Sequence, residues 1–341
     1  QQAKDSTPIL NELKQQVENS TPILNELKQQ VENSTPILNY LKQQAENSTP
    51  ILNELKQQVA QNHRLIEISQ DIQFEDITMF SNSSNYIENK KRIQASDIFL
   101  ASYPRSGNTW VRFLMSDLIL QSQGYDTSTG GNIVPDIYKD HIDAWFSDSR
   151  INNLPFRIVK THELCETEYT KIIYVVRHPA DTLCSYYYYR KGVDGEYFVN
   201  DSIDDFCCSH LSQWCWHTQT YIKLKERKGH KVQFVSYENL KNDAVKSLQS
   251  IATFCGLQVE EKLCQKAVDN QDFKKLKNIA KQSDKTMILN FKEDIGYDKF
   301  FRQGEVNNSI QELSPQTIRL INEKAMILYA QARGLENLNV F

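Results

Sequence analysis

The segment Ser102-Tyr103-Pro104-Arg105-Ser106-Gly107-Asn108-Thr109-Trp110 constrains this chain more than any other stretch. It follows the apolar run Ile98-Phe99-Leu100-Ala101 and precedes the helical pattern Val111-Arg112-Phe113-Leu114-Met115-Ser116-Asp117-Leu118. A strand, a tight glycine-containing loop and a helix in that order set a row of backbone N–H groups at a helix N-terminus. An anion placed there is stabilised by hydrogen bonds and by the helix macrodipole. Arg105, Ser106, Asn108 and Thr109 surround the turn with further donors, so the segment reads as a phosphate-binding loop. It is not the nucleoside-triphosphatase version, which needs Gly-x-x-x-x-Gly-Lys-Ser/Thr with its hydroxyl on Mg²⁺. No such string occurs in the chain.

Upstream lies a different kind of sequence. Ser6, Ser20, Ser34 and Ser48 each open Ser-Thr-Pro-Ile-Leu-Asn-(Glu/Tyr)-Leu-Lys-Gln-Gln-(Val/Ala), a strict period of 14. Each copy offers a Ser or Thr cap and a proline at the first helical position. Leu10, Leu13 and Val17 fall at 3-then-4 spacing, and a period of two heptads keeps the apolar seam in register. Pro22, Pro36 and Pro50 would each cost roughly 3 kcal/mol inside a continuous helix, which predicts a broken or kinked series of short helices. Two uses stay open: association with other chains, giving a homo-oligomer through the repeats, or a weakly ordered spacer. The expected division is a helical repeat segment over 1–72 and a globular domain over 73–341.

In the second part short apolar strands alternate with amphipathic helices. Ile98–Ala101, Arg157–Lys160, Ile172–Val176 and Val232–Val235 read as strands, with helices near 108–122, 180–190, 202–227, 243–255, 259–269 and 314–332. That alternation predicts an α/β fold, with a P-loop-like central parallel sheet flanked by helices on both faces. Ligands in such sheets sit beyond the carboxyl ends of the strands, where the remaining motifs fall. Lys171-Ile172-Ile173-Tyr174-Val175-Val176 runs into Arg177-His178-Pro179-Ala180-Asp181, leaving Arg177 at a strand tip and Ser185 two turns into the next helix. Phe156-Arg157-Ile158-Val159-Lys160 ends in Thr161-His162-Glu163. Val232-Gln233-Phe234-Val235-Ser236 ends in Tyr237-Glu238-Asn239-Leu240.

Tyr103-Pro104-Arg105-Ser106-Gly107-Asn108-Thr109-Trp110, the strand–Arg–x-Pro-x-Asp–helix–Ser stretch and Lys160-Thr161-His162 together resemble the sulfotransferases that use 3′-phosphoadenosine-5′-phosphosulfate (PAPS) as donor, over residues 95–335. The resemblance implies that residues 105–110 hold the 5′-phosphosulfate and that Arg177 and Ser185 hold the 3′-phosphate. Arg suits phosphate because its planar fork is always charged and meets two oxygens at once. Tyr237 is implied near the adenine, with Trp110 and Phe273 as further nucleobase contacts by position. Phe300-Phe301-Arg302-Gln303-Gly304 resembles the family's Arg-Lys-Gly-x-x-Gly stretch: Arg302 and Gly304 match, while Gln303 replaces Lys and Asn307-Asn308-Ser309 replaces the Gly-Asp-Trp part.

Sulfuryl transfer needs a nucleophile freed of its proton and charge stabilisation at the leaving oxygen. The resemblance makes His162 the general base, with an ordinary pKa near 6.5 that leaves it neutral and basic at physiological pH. Lys160 and Arg105 are the fixed positive charges near the transferring group, and Arg105 stands where the family usually has Lys. Protein cations take the role Mg²⁺ plays in phosphoryl transfer, so no metal is expected. Cys207, Cys208, His210, Cys215 and His217 crowd together, but they read as one amphipathic helix that cannot fold around an ion. Trp214-x-x-His217 resembles a packing pattern of the family. Residues 123–155 and the run Tyr186 to Tyr189 are expected to form the acceptor mouth, for a small-molecule, lipid or glycan acceptor.

A net charge of −4 argues against a nucleic-acid partner. The absence of 18 consecutive apolar residues argues against an integral membrane segment, and the Gln-rich start is unlike a signal peptide. Seven cysteines, an odd number, fit free thiols in a reducing compartment, and the expected location is cytoplasmic. The alternative function is a catalytically impaired nucleotide-binding scaffold that uses the repeat tail for association. A nucleotide kinase is disfavoured by the missing Walker lysine.

Overall fold

The structure, a computed structural model, describes residues 83–127, 132–151, 154–164, 169–193, 202–227, 231–271 and 308–337, with a set of helical residues between 14 and 53. The chain divides into two compact units, Gln1–Arg64 and Leu65–Phe341.

In the first unit the described residues are helical and exposed, and 28–36 are helical without interruption through Pro36. The hydroxyls that the sequence offers as caps here donate back into the helix. Ser34 Oγ reaches the Gln30 carbonyl at 2.7 Å, Thr35 Oγ1 the Val31 carbonyl at 2.9 Å and Ser20 Oγ the Gln16 carbonyl at 2.7 Å. Such bonds to the carbonyl four residues back are the mid-helix alternative to capping.

Among the described residues the second unit is built on four parallel strands: β1 (Asp97–Ser102), β2 (Arg157–Thr161), β3 (Lys171–Val176) and β4 (Lys231–Ser236), in the order β2-β1-β3-β4. Around them lie α1 (Ser84–Lys90), α2 (Asn108–Ser122), the single turn α3 (Ala144–Ser147), α4 (Pro179–Val193), α5 (Ile203–Lys225), α6 (Tyr237–Asn242), α7 (Ala244–Cys255), α8 (Glu261–Asn270), a 3₁₀ turn at Asn308–Gln311 and α9 (Pro315–Asn337). A parallel pair needs a crossover, and helices supply it between β1 and β2 and between β3 and β4.

Alternation along each strand explains why both faces are covered. Ile98, Leu100, Ile158, Ile173 and Val175 join Val111, Leu114, Leu118, Leu248, Ile251 and Ala267 of α2, α7 and α8 in one core. Phe99, Ala101, Val159, Tyr174 and Phe234 join Leu183, Trp214, Tyr221, Ile321 and Leu328 of α4, α5 and α9 in the other. Strands apolar on both sides belong to a doubly covered parallel sheet. The expected α/β architecture, with helices on both faces, is the one found.

One charged pair sits inside it. Arg157 Nη2 donates to Asp97 Oδ2 at 2.6 Å and Nε to Oδ1 at 3.0 Å, both side chains being fully buried. The fork also reaches the Arg92 carbonyl and Asp143. Bidentate pairing pins the start of β1 to the start of β2.

At the other end of the sheet Ser102, Thr161, Val176 and Ser236 bring their strand tips together. Among the described residues no helix is long and apolar enough to cross a membrane.

Candidate functional site

The loop from Tyr103 to Gly107 turns β1 into α2 with two left-handed residues, Arg105 at φ 68° and Gly107 at φ 105°. Gly107 is required there twice over. Its φ favours glycine, and a Cβ would lie 2.5 Å from Cδ2 of Tyr237. Asn108 braces the turn by donating to the Leu100 carbonyl at 3.0 Å and Ser102 Oγ at 3.2 Å. Ser106 Oγ and Asn108 Oδ1 are buried without a hydrogen-bond partner. The Ser106 hydroxyl, buried beside a helix N-terminus, has a proton to give to a bound anion, whereas the Asn108 oxygen can only accept.

Arg177 follows β3 and lays its guanidinium 4.6 Å from the centre of the Tyr237 ring, while Nη1 donates to the Arg105 carbonyl at 3.3 Å. Arg105 in turn donates from Nε to Ser185 Oγ on α4 at 3.3 Å and lies 5.0 Å from the Tyr189 ring centre. Burial brings the Arg105 guanidinium down to about 10, eased by Tyr189 and worsened by Arg177. The Arg177 charge that works against the Arg105 guanidinium is offset when an anion joins them. The two sets read separately from sequence, 105–110 and Arg177 with Ser185, are therefore in contact through Arg105. Trp110 meets the Tyr237 ring edge-on at 6.0 Å and donates from Nε1 to the Gln271 carbonyl at 3.2 Å. Asp181 accepts from the backbone N–H of Ser309 at 3.3 Å and from its hydroxyl, which ties the start of the 3₁₀ turn to α4. Phe273, Arg302 and Gly304 lie outside the described residues.

His162 stands just beyond β2. Its Nδ1 is 2.8 Å from the backbone carbonyl oxygen of Ser102, so Nδ1 carries the proton and donates, and Nε2 bears the lone pair. Burial first, and then the neighbouring Lys160 charge, hold the imidazole well below its usual 6.5. Two residues outside the predicted set fix its backbone. The His162 N–H donates to Tyr138 Oη at 2.9 Å, and its carbonyl accepts from His217 Nε2 at 3.1 Å. His217 Nδ1 lies 2.9 Å from Tyr174 Oη, which donates to it. Its crowding with cysteines in the sequence masked this role; the only hint was its spacing from Trp214.

Lys160 Nζ donates to Asp136 Oδ2 at 2.8 Å, and the ammonium lies 5.2 Å from the Tyr138 ring centre. Asp136 and Tyr138 come from the 123–155 insert, which bridges the sheet edge at Asp136 and Lys160. The tyrosine run spreads out: Tyr186 packs against Tyr103 and Phe206, Tyr188 Oη donates to Glu312 at 2.7 Å, and Tyr189 meets Arg105. Cys207, Cys208, His210, Cys215 and His217 all lie on the single helix α5. Among the described residues no group of three or more His, Cys, Asp or Glu side chains is placed to hold a metal ion.

Residues 95–326 match the sulfotransferase domain family. The chain is 26% identical to cytosolic sulfotransferase 14 of Arabidopsis thaliana over 258 residues, covering 66% of this chain and 73% of that protein. It is 27% identical to cytosolic sulfotransferase 12 of the same plant over 265 residues, 69% of this chain and 79% of that one. Among solved structures, mouse sulfotransferase SULT7A1 complexed with PAP superposes with a TM-score of 0.54 at 23% identity, over 77% of this chain and 93% of that chain. That last likeness is one of fold.

Proposed function

The chain belongs to the sulfotransferase family, and from that premise we propose that it moves a sulfuryl group from 3′-phosphoadenosine-5′-phosphosulfate to a hydroxyl or amine, with His162 as general base. The observation that carries this reading is the fixed tautomer of His162, whose lone-pair nitrogen is set by the Ser102 carbonyl beside a buried cation. In the transfer His162 Nε2 takes the acceptor's proton as the acceptor oxygen or nitrogen forms its bond to sulfur. The bond between sulfur and the 5′-phosphate oxygen breaks, and the charge left on that phosphate falls to the α2 N-terminal amides and Arg105. Lys160 stabilises negative charge gathering on the transferring group.

The cradle suits the donor. Ser106 offers a buried hydroxyl with its proton still to give, Gly107 lets the Tyr237 ring close against the loop, and Arg105, Arg177 and Ser185 converge from two elements. Arg177 and Ser185 would hold the 3′-phosphate, and Tyr237 and Trp110 would flank the adenine. The PAP in the mouse structure agrees with this choice of nucleotide. Arg302, Gly304 and Phe273 remain proposed donor contacts on the resemblance alone. The acceptor is proposed as a partly apolar small molecule, lipid or glycan, reached between the 123–155 insert and the tyrosines of α4. Support for catalysis over a nucleotide-binding scaffold is the oriented base, which a scaffold has no use for.

The test is calorimetric titration with 3′,5′-adenosine diphosphate against 5′-AMP, followed by a transfer assay from labelled donor to phenols, sterols, sugars and amines. Binding that depends on the 3′-phosphate, and transfer that withstands a metal chelator, are the expected results. Equal affinity for the two nucleotides would overturn the donor assignment.

A further inference from the structure

We propose that Asp136 is a positioning residue for the transfer chemistry, its carboxylate fixing the Lys160 ammonium beside His162 and keeping it charged. The proposal rests on the sulfotransferase reading for its consequence in catalysis, and on geometry alone for the clamp.

Asp136 is held on every side. The Lys160 N–H donates to the Pro135 carbonyl at 2.9 Å and the Ile137 N–H to the Lys160 carbonyl at 3.1 Å, so the backbones on either side of the carboxylate are bonded to the lysine itself. The Asp136 N–H donates to Asp140 Oδ2 at 2.7 Å, which also accepts from Arg112 Nη2 at 3.1 Å. Oδ1 accepts from the Tyr138 N–H at 3.1 Å while Oδ2 takes Lys160 Nζ at 2.8 Å. With both oxygens occupied and its backbone bridged to β2, this carboxylate cannot turn away.

The need for it follows from what else faces the lysine. His162 follows two residues on, just past the end of β2, the Tyr138 ring and Lys139 come from the insert, and Arg112 comes from α2. Burial pushes the Lys160 ammonium down from 10.5, Arg112 and Lys139 push the same way, and Asp136 is the counterweight. The carboxylate itself settles at about 2: burial raises it, and Lys160 and then Arg112 more than offset that. A buried ammonium stripped of its partner sheds its proton instead of staying charged. The same loop thus serves both groups, Asp136 holding the lysine and Tyr138 Oη accepting from the His162 N–H.

The test uses the full chain with ¹³C-labelled lysine, following the Lys160 side-chain signal against pH; Lys160→Met assigns it. In Asp136→Asn the midpoint should fall by about 1–3 pH units, and Asp136→Glu should recover part of the shift. Affinity for 3′,5′-adenosine diphosphate should stay within about twofold, while kcat at pH 8 falls by as much as ~10²-fold and the alkaline limb moves to lower pH. Equal Lys160 midpoints in the wild-type chain and Asp136→Asn would overturn the proposal. Should Asp136→Asn not fold, Lys160→Met supplies the reverse reading: the Asp136 carboxyl must titrate higher than about 2, and no movement overturns the clamp. Failure of nucleotide binding or of transfer would remove the sulfotransferase reading and leave the lysine titration intact, so the two failures are distinct.

Discussion

His162 Nδ1 lies 2.8 Å from the carbonyl oxygen of Ser102, the last residue of β1. The proposed base is therefore tied to the strand that feeds the loop proposed to bind phosphate, and any shift of β1 carries both. The bond also decides the chemistry, because a carbonyl only accepts and so assigns the imidazole proton to Nδ1.

Replacing His162 by Ala should lower kcat by about 10²–10⁴-fold, the usual worth of a positioned base. Binding of 3′,5′-adenosine diphosphate should persist, since the imidazole is bonded to Ser102 and acts on the acceptor in the proposed reaction. A pH profile adds a second check. The imidazole is held well below 6.5 by burial and then by Lys160, so the acid limb of kcat/KM should fall below pH 6.5. A limb at or above 6.5 would mean that another group limits the rate.

Gly107→Ala should damage the proposed donor site more than its size suggests. The left-handed φ of 105° strains any side chain, and the new methyl would meet Tyr237 Cδ2 at 2.5 Å. Tyr237 carries the Arg177 guanidinium at 4.6 Å, so the displacement passes to the proposed 3′-phosphate ligand. Expected are a loss of roughly 1–3 kcal/mol in stability and a fall in nucleotide affinity, read by thermal denaturation and calorimetry. Wild-type affinity would show that the loop relaxes around the methyl.

The sheet and its loops were legible because each rests on a local pattern. Apolar runs of strand length, a glycine between strand and helix, and Pro179 after Arg177 specify β1, β3 and their turns without tertiary knowledge. The partners of His162 were not legible. One is a backbone carbonyl, which carries no residue signature; Tyr138 comes from an insert without periodicity, as does the Lys160 partner Asp136; His217 lies 55 residues downstream on a helix crowded with cysteines. These contacts exist only once β2 sits beside β1 and α5 has packed across the sheet end. Arg105, read from sequence as a charge at the transferring group, has a contact that the sequence did not show, its bond to Ser185.

Arg177→Ala should separate the two phosphates of the donor. A charge-assisted hydrogen bond is worth about 1.5–3 kcal/mol, so affinity for 3′,5′-adenosine diphosphate should drop roughly 10–100-fold while 5′-AMP binding changes little. Equal losses for both nucleotides would place Arg177 in general support of the loop, through its bond to the Arg105 carbonyl.

Asp97→Ala should be among the most destabilising changes in the sheet. It leaves the fully buried Arg157 without its bidentate partner, and removing one member of such a pair costs about 3–5 kcal/mol. Asp143 and the Arg92 carbonyl remain as partners and temper the loss toward the lower figure. Chemical denaturation measures it, and a change under about 1 kcal/mol would mean that water reaches the guanidinium.

His217 gives the fold a pH dependence of definite sign. Burial is the dominant influence and brings its imidazole from 6.5 to about 4, so the unfolded chain binds a proton there more readily than the folded one. Stability from this residue is complete above pH 6.5, drains as pH falls from 6.5 to about 4, and levels off once the folded imidazole also charges. His162, depressed for the same leading reason, acts in the same direction. The structural cause is specific: His217 must accept at Nδ1 from Tyr174 and donate at Nε2 to the His162 carbonyl, and a second ring proton breaks the first bond. Chemical denaturation of the full chain at pH 7 and pH 4.5 should therefore differ by a few kcal/mol, and His217→Gln should lose part of that difference while lowering stability at pH 7. An unchanged pH slope in His217→Gln would assign the acid sensitivity to other groups and leave His217 a packing residue alone.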